Sequence, residues 1–437
     1  MANSDREEEQ LMLRRTLTMC LVVMLVALAC TTPALADAAG SVMRFNREAY
    51  SYSTQLSTSA EANRYDVMVL NAGDARFVPA LHAANPHLLI FVYQTVLQAQ
   101  PTDPSGLTTC TPWSSDSASH PNWYLADQYG HRINDVDYPT NALMDVGNPA
   151  YQQACVAHAV AQARTMGFNG IYFDDVTAWV GWTFPSGVRA PEYPTQGSWQ
   201  QAMTSFVDHA AHASPLPIIA NIGGATAAPG LWQRWAGPLF GAEEESWTDG
   251  GSGLAQQLPD FAAKLANIAW SEAHHKYTLL HSYNSTPAGL VYGLAATLLV
   301  AGGETSWSTS NSNYTTSETW LPEYSTAQNL GAPLGQYTRL ANGVYERRFQ
   351  HGLVLVNATT QPVASFAIGG GSYSGSGLTR ATYTAMGPTS GLILMRVNAP
   401  AHHKAKRHKA KKHKRAHRHK HHRKHTRHRA RTHVRRA

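Results

Sequence analysis

Short β-prone runs alternate with helical stretches between residues 42 and 308, and this alternation restricts the chain to α/β folds with parallel strands. The runs are rich in Val, Ile, Leu, Phe and Tyr, and the last seven of the eight end in polar residues. Eight parallel strands with helices between them predict a (β/α)8 TIM barrel. We place the strands at 42–45, 65–70, 88–93, 171–173, 218–222, 239–247, 277–283 and 304–308.

The fourth run stops at two adjacent carboxylates, Asp174 and Asp175. Unpaired charge is costly to bury, so these acids need a cavity or polar partners. The carboxyl end of a barrel strand offers such a cavity. The alternative interpretation is an ordinary strand followed by an Asp that caps the next helix.

The helical stretches are predicted at 149–166, 199–213, 254–274 and 287–300, the first with Asn148 as its cap and Pro149 at its first position. Two long loops, 98–141 and 179–198, carry several Trp and Tyr residues. Loops of this length usually have a purpose such as walling a binding site, although the rings can equally pack beneath the loops.

The length allows one barrel-sized domain and a smaller module. After residue 333 the helices stop, and strands at 344–349, 352–357, 363–368, 380–384 and 391–397 are joined by Gly, Asn and Ser turns. We predict a signal peptide at 1–36, the barrel at 37–333, an antiparallel β-sandwich domain at 334–399 and a disordered basic tail at 400–437.

The N-terminal sequence predicts an export signal. Arg14 and Arg15 precede an apolar run at 17–29, and Ala34-Leu35-Ala36 supplies a cleavage site before Asp37. The run is short for a membrane span, so the mature chain is expected to have none and to be secreted or associated with the cell envelope. Lipid attachment at Cys30 is the alternative.

Two cysteines, Cys110 and Cys155, remain after signal removal. Export permits a disulfide between them, and two buried thiols are the other possibility.

Positive charge is concentrated in the tail. Residues 402–437 hold 17 of the 35 Lys and Arg residues together with 11 His, which leaves 18 basic residues against 29 acidic ones elsewhere. A segment with so few apolar side chains is expected to be disordered and to bind an anionic envelope or extracellular polymer. Nucleic acid is a less favoured partner, because the tail has no aromatic residues to stack on bases. A solvated tail without a partner is the alternative.

Four segments carry a resemblance to a known family: GFNGIYFDDV (167–176), MDVGNPAYQ (144–152), RRFQHGLVLVN (347–357) and SGLILM (390–395). Their order and spacing resemble the hypothetical glycoside-hydrolase-like barrels, and most of all the fifteenth of these families, from about residue 42 to residue 397. The resemblance implies a (β/α)8 barrel with a trailing β domain and a carbohydrate substrate of unknown identity. We predict no cofactor and no bound metal.

The resemblance also implies an acid at the end of the fourth strand, which matches Asp174, and a second acid at the end of the sixth. Glu245 has the family's Gly-x-x-x-Glu spacing from Gly241. The run of three glutamates departs from the family pattern and leaves Glu244 as an alternative candidate. Glycoside hydrolysis needs one carboxyl group to protonate the leaving oxygen and another to attack the anomeric carbon or activate water. We assign Asp174 as nucleophile and Glu245 as acid/base, with Asp175 as a supporting carboxylate. We predict hydrolysis with retention of configuration, an outcome that depends on the separation of the two carboxyl groups.

Polar residues near other strand ends are candidates for binding sugar hydroxyls and faces, against a purely structural role for each. They are Tyr93, Gln94, Asp145, Asn221, His281, Tyr283 and Trp307.

Two rival functions use the same barrel. In the first, Asp174, Asp175 and Glu245 hold a hard cation such as Mg²⁺, although no His-x-His cluster follows an early strand. Loss of activity on chelation would support it. The second is a barrel that binds glycans without cleaving them, which binding without turnover would support.

Overall fold

The computed structural model describes residues 41–49, 57–248, 260–283, 286–310 and 320–397. The predicted signal peptide, its cleavage site and the basic tail lie outside these residues. Within them, no helix has both the length and the apolar character needed to cross a membrane.

Eight parallel strands close into a barrel, which confirms the predicted fold class. Each strand pairs with its neighbours in the sequence, and the last strand pairs with the first. The strands are β1 (Arg44–Ala49), β2 (Val67–Leu70), β3 (Leu89–Thr95), β4 (Gly170–Thr177), β5 (Ile218–Gly223), β6 (Gly241–Glu244), β7 (Tyr277–Ser282) and β8 (Thr305–Thr309).

Nine α-helices lie among the described residues. They are α1 (Thr58–Ala62), α2 (Val78–Ala84), α3 (Trp113–Ser119), α4 (Pro149–Met166), α5 (Gln196–Ala213), α6 (Leu231–Ala236), α7 (Phe261–Ala273), α8 (Pro287–Val300) and α9 (Pro322–Gln328). Four of them, α4, α5, α7 and α8, correspond to the predicted helices.

Local capping explains where two of the helices begin. Asn148 accepts hydrogen bonds from the backbone of Ala150 and Tyr151, so α4 begins as predicted at Pro149. Helix α5 begins three residues before the predicted Trp199, because Thr195 and Ser198 form a capping box. For α7, predicted at 254–274, residues 254–259 lie outside the described part.

Strand β1 extends further than its apolar residues predicted. Asn46 and Glu48 are polar but lie in the strand, and the Asn46 amide donates to Glu48 Oε1 at 3.2 Å and to Ser308 Oγ at 3.0 Å. The strand continues to Ala49 because residues 46–49 pair with Val67–Leu70 of β2.

The C-terminal residues form antiparallel sheets. A six-stranded sheet has the order β9-β10-β11-β16-β13-β14, and β12 pairs with β15. The strands are β9 (Thr338–Arg339), β10 (Tyr345–Arg348), β11 (Gly352–Asn357), β12 (Val363–Ala367), β13 (Tyr373–Gly375), β14 (Leu378–Ala381), β15 (Tyr383–Met386) and β16 (Ser390–Arg396). The single strand predicted at 380–384 is in fact two, and β13 was not predicted.

Helix α8 joins the barrel to these sheets. It is apolar on all sides, which is typical of a helix buried on all sides, and 11 of its 14 residues are buried. From β10, the guanidinium of Arg347 donates to the carbonyl oxygens of Leu298 and Ala301 at the end of this helix, at 3.0 and 2.6 Å. A side-chain carbon at Gly391 in β16 would lie only 2.6 Å from Ala295, so the sheet and α8 pack very closely there.

Cys110 and Cys155 form a disulfide, with their Cα atoms 4.5 Å apart. The bond joins the long 98–141 loop to α4, so the disulfide alternative is the one that the structure adopts.

Candidate active site

A cavity of about 840 Å³ lies at the carboxyl ends of the barrel strands. Its lining includes Tyr93, Asp174 and Glu245 from the barrel, and Asp135 and Tyr138 from the long loop. Trp182, whose ring is 57% exposed, contributes from the second long loop. A concave site of this size at this end of a barrel is the usual position of a TIM-barrel active site.

A β-bulge brings both aspartates of β4 to the cavity. The pairing of β4 with β5 shifts register between Phe173 and Val176, and Asp175 adopts a left-handed conformation with φ of 63°. In a regular strand, successive side chains point to opposite faces. The extra residue breaks this alternation, so that Asp174 and Asp175 both line the cavity.

The Asn221 amide connects the two predicted catalytic acids. Its Nδ2 donates to Asp174 Oδ1 at 2.9 Å and to Glu245 Oε2 at 2.7 Å. Because both bonds share one nitrogen, the two oxygens are separated by no more than the two lengths together, about 5.6 Å. The carboxyl groups of Asp174 and Glu245 therefore lie close together in the cavity.

Asp174 is held by three donors. Besides Asn221, the Tyr93 hydroxyl donates to Oδ2 at 2.6 Å, and the Asp175 backbone N–H donates to Oδ1 at 2.8 Å. Burial, and then the negative charge of Glu245, raise the pKa of Asp174 to about 6, while the three donors act in the opposite direction. This carboxyl group can therefore change its protonation state near neutral pH.

Glu245 and Asp175 have different surroundings. The Tyr283 hydroxyl donates to Glu245 Oε1, so both oxygens of this carboxylate accept hydrogen bonds. Asp175 accepts from Thr95 Oγ1 at 2.6 Å. Burial raises the pKa of Asp175 well above its usual value, and the charge of Asp174 raises it further.

The three glutamates of β6 and its end are divided by regular alternation. Glu243 points into the barrel, where it accepts a hydrogen bond from the Tyr172 hydroxyl. Glu244 points outward and forms a buried ion pair with Lys264 at 2.7 Å. Glu244 does not line the cavity, so the alternative prediction that Glu244 is a catalytic residue is wrong.

Four of the predicted sugar-binding residues also lie away from the cavity. Gln94 follows Tyr93 and so faces outward, where its amide donates to Gln162 Oε1 at 2.9 Å. Trp307 is likewise outward and donates to Ser282 Oγ at 3.2 Å. Asp145 accepts from the Tyr193 hydroxyl and from the Gly147 N–H in the turn before α4.

The fourth, His281, is buried inside the barrel between Ser308 and Ser310. The prediction that these four residues contact the sugar is therefore wrong, because none of them lines the cavity. Of the remaining three, Tyr93 and Tyr283 line the cavity, and Asn221 holds its two acids.

Glu48, Glu243 and His281 form a cluster in which one possible ligand atom from each lies within 4.8 Å of the others. Burial raises the pKa of Glu48 to about 8, with a further contribution from the charges of Glu245 and Asp174. Burial and the charge of Glu48 also raise the pKa of Glu243 well above its usual value. Such a set could hold a metal ion, or it could share protons between the two carboxyl groups.

Sequence reasoning missed the other acids of the cavity, Glu48, Asp135 and Asp137. Glu48 was missed because β1 was ended at Phe45. The two aspartates belong to a loop with no periodic pattern, and only the density of acids in Asn134-Asp135-Val136-Asp137 could have drawn attention to them.

Comparison with known families gives a clear match. The sequence model of hypothetical glycosyl hydrolase family 15 matches residues 82–353, more than half of the chain. The chain belongs to this family, as the resemblance predicted. No curated protein matches it.

Several solved structures are similar at low identity. A noncanonic maltogenic α-amylase from Thermotoga neapolitana is 13% identical with a TM-score of 0.45, over 82% of this chain and 99% of that one. An α-galactosidase from Lactobacillus brevis is 10% identical with a TM-score of 0.45, over 82% and 56%. A cycloalternan-degrading enzyme from Trueperella pyogenes is 11% identical with a TM-score of 0.43, over 82% and 60%.

Proposed function

We propose that the protein hydrolyses a poly- or oligosaccharide with retention of anomeric configuration. The observation that carries the proposal is the Asn221 bridge, which keeps oxygens of Asp174 and Glu245 within about 5.6 Å. Retaining glycosidases hold their two carboxyl groups about 5–5.5 Å apart, whereas inverting enzymes need about 6.5–9.5 Å to admit a water. Membership of a glycosyl hydrolase family supports the reaction class.

Asp174 is the nucleophile in this proposal and Glu245 the acid/base. Three donors to Asp174 favour its ionised form and fix its direction. The charge of Glu245 opposes that ionisation. A protonated Glu245, which the reaction requires for the leaving oxygen, would no longer oppose the ionisation of Asp174.

The reaction then has two steps. An oxygen of Asp174 bonds to the anomeric carbon as the glycosidic C–O bond breaks, and Glu245 gives its proton to the departing oxygen. Glu245 next takes a proton from water, whose oxygen attacks the same carbon and releases Asp174. Two inversions at one carbon give net retention.

The test is a broad glycan screen with the full chain, followed by proton NMR of the first product formed. We expect one glycan class to be cleaved with the substrate's anomeric configuration in the initial product. Asp174→Asn should lower turnover by about 10²–10⁴-fold. Initial release of the opposite anomer would contradict the retaining mechanism. Binding without turnover across the screen would contradict hydrolysis.

We also propose that the protein is exported and that its tail binds an anionic envelope or extracellular polymer. The support is sequence alone, namely the export signal and the 17 basic residues at 402–437. N-terminal sequencing should find Asp37 first. Retention on anionic envelope material should fall with added salt and on truncation after Ala401. Equal retention of both forms would contradict the tail proposal.

A further inference from the structure

The cavity carries more negative charge than the proposed reaction requires. Hydrolysis uses two carboxyl groups. Six acidic residues line the cavity, and among the described lining residues there is no Lys, Arg or His. The six are Glu48, Asp135, Asp137, Asp174, Asp175 and Glu245.

The internal segments that the structure does not describe contain no basic side chain that could balance these acids. Segments 50–56, 249–259, 284–285 and 311–319 contain no Lys, Arg or His in their sequences, and their charged residues are Asp249 and Glu318. The excess of acid over base therefore does not depend on how these segments are placed.

The acids influence one another along a continuous path. Burial raises the pKa of Asp175, and the charges of Asp174, Glu245 and Asp135 raise it further. Burial likewise raises the pKa of Asp135, and the charge of Asp137 adds to that shift. Asp135 is buried, and it accepts hydrogen bonds from Gln98 Nε2 at 3.0 Å and from the Asp137 N–H at 2.7 Å. Mutual repulsion of this kind disfavours the ionised free site, and a bound cation would relieve it.

Two aromatic rings in the same cavity indicate that the positively charged ligand is a sugar. Tyr138 and Trp182 line the same cavity and are 60% and 57% exposed. Exposed aromatic faces stack on the apolar faces of sugar rings, and they also attract ammonium groups. An anionic sugar would be repelled, and a neutral one could be bound by the many Asn, Gln and Thr side chains of the lining alone.

We propose that the substrate is a glycan of amino sugars with free, protonated amines, one of which is bound by Asp135, Asp137 and Asp175 next to the catalytic pair. The inference rests on the proposed glycosidase function and gives its substrate class. A bound metal ion is another source of positive charge that could satisfy the same carboxylates.

The first experiment compares matched oligosaccharides with the full-length protein. The panel contains glucosamine and galactosamine oligomers in α and β linkage, their N-acetylated counterparts and oligogalacturonates. We expect a free-amine member to be cleaved at least tenfold faster than its N-acetylated counterpart, and the uronates not to be cleaved. Preferred cleavage of a neutral or anionic member would overturn the inference and leave the glycosidase function intact.

Charge-removing variants assign the preference to the proposed residues. Asp137→Asn and Asp135→Asn should each lower kcat/KM for the free-amine substrate about fivefold or more, and lower kcat/KM for an N-acetylated substrate by a clearly smaller factor. Asp137 is exposed, so Asp137→Asn is expected to fold like the wild type. Asp135→Asn keeps an oxygen that accepts the backbone N–H bonds but loses the bond from Gln98. Asp208→Asn, on the exposed face of α5, is the matched control and should change neither value. Equal losses on both substrates would contradict the charge role.

Binding measurements separate this inference from the reaction itself. The full-length Asp174→Asn variant is titrated calorimetrically with the same oligomers at low and high salt. Salt-sensitive binding of free-amine oligomers without cleavage by the wild type would support the substrate class and contradict hydrolysis. Loss of binding in the presence of a chelator would show instead that a metal ion supplies the positive charge, and would overturn the inference.

Discussion

The barrel contains two acidic runs that look alike in the sequence but are arranged differently. In β4 a bulge directs both Asp174 and Asp175 into the cavity. At β6 the strand is regular, so Glu243 faces the barrel interior and Glu244 faces Lys264 outside. Glu245 then follows at the strand end and reaches the cavity. The fate of adjacent acids thus depends on strand regularity, which composition does not reveal.

The sharpest test of this contrast is Glu245→Gln against Glu244→Gln. Glu245→Gln should lower turnover by about 10²–10⁴-fold with little change in stability, because it removes the acid/base. Glu244→Gln leaves Lys264 buried with one fewer partner, and should lower the free energy of unfolding by about 3 kcal/mol while sparing kcat. Activity assays and urea unfolding of both variants decide the matter. A loss of activity in Glu244→Gln that exceeds its unfolded fraction would contradict the outward assignment.

Substitution of Asp175 tests the bulge itself. Asn tolerates the left-handed conformation, whereas a β-branched residue does not. Asp175→Val should lower the free energy of unfolding by about 1–3 kcal/mol more than Asp175→Asn does. The measurement is chemical unfolding of both variants beside the wild type. Equal stability of the two would show that the bulge does not depend on the conformation of residue 175.

The inward glutamate of β6 predicts a pH effect on stability. The pKa values of Glu243 and its neighbour Glu48 are raised in the folded protein, the latter to about 8. Their stabilising contribution is complete below the ordinary glutamate pKa and is lost as the pH rises through the folded values. The unfolding temperature should therefore fall between about pH 5 and about pH 8, and Glu48→Gln should flatten that fall. An unfolding temperature that rises over this range in the wild type would contradict the buried, protonated pair.

The smallest expected effect concerns Tyr93→Phe. The Tyr93 hydroxyl lowers the pKa of Asp174, so its removal should move the acid limb of the pH–activity profile upward from about 6. The shift should be about one pH unit or less, the usual effect of one hydrogen bond. A Tyr283→Phe variant, whose hydroxyl contacts Glu245 instead, is the comparison. An unmoved acid limb in Tyr93→Phe would indicate that Asp174 does not control it.

Much of this arrangement could be predicted from the sequence. Apolar runs located the eight strands, and the acids at the ends of the fourth and sixth runs located the cavity. Strand alternation also explains the errors at Gln94 and Trp307, since each follows an inward neighbour by one residue. The bulge at Asp175 depends on pairing with β5, and Asp135 depends on the path of a long loop. Neither long-range contact leaves a local pattern in the sequence.

The burial of α8 between the barrel and the C-terminal sheets has a consequence for how the chain folds. Arg347 and Gly391 contact this helix, and both are synthesised about fifty to a hundred positions after it. While the barrel emerges from the ribosome, the apolar surface of α8 that these residues cover remains uncovered. Full burial of α8 is therefore expected to wait for the last strand, β16. A truncated barrel that ends near residue 333 should expose that surface and aggregate.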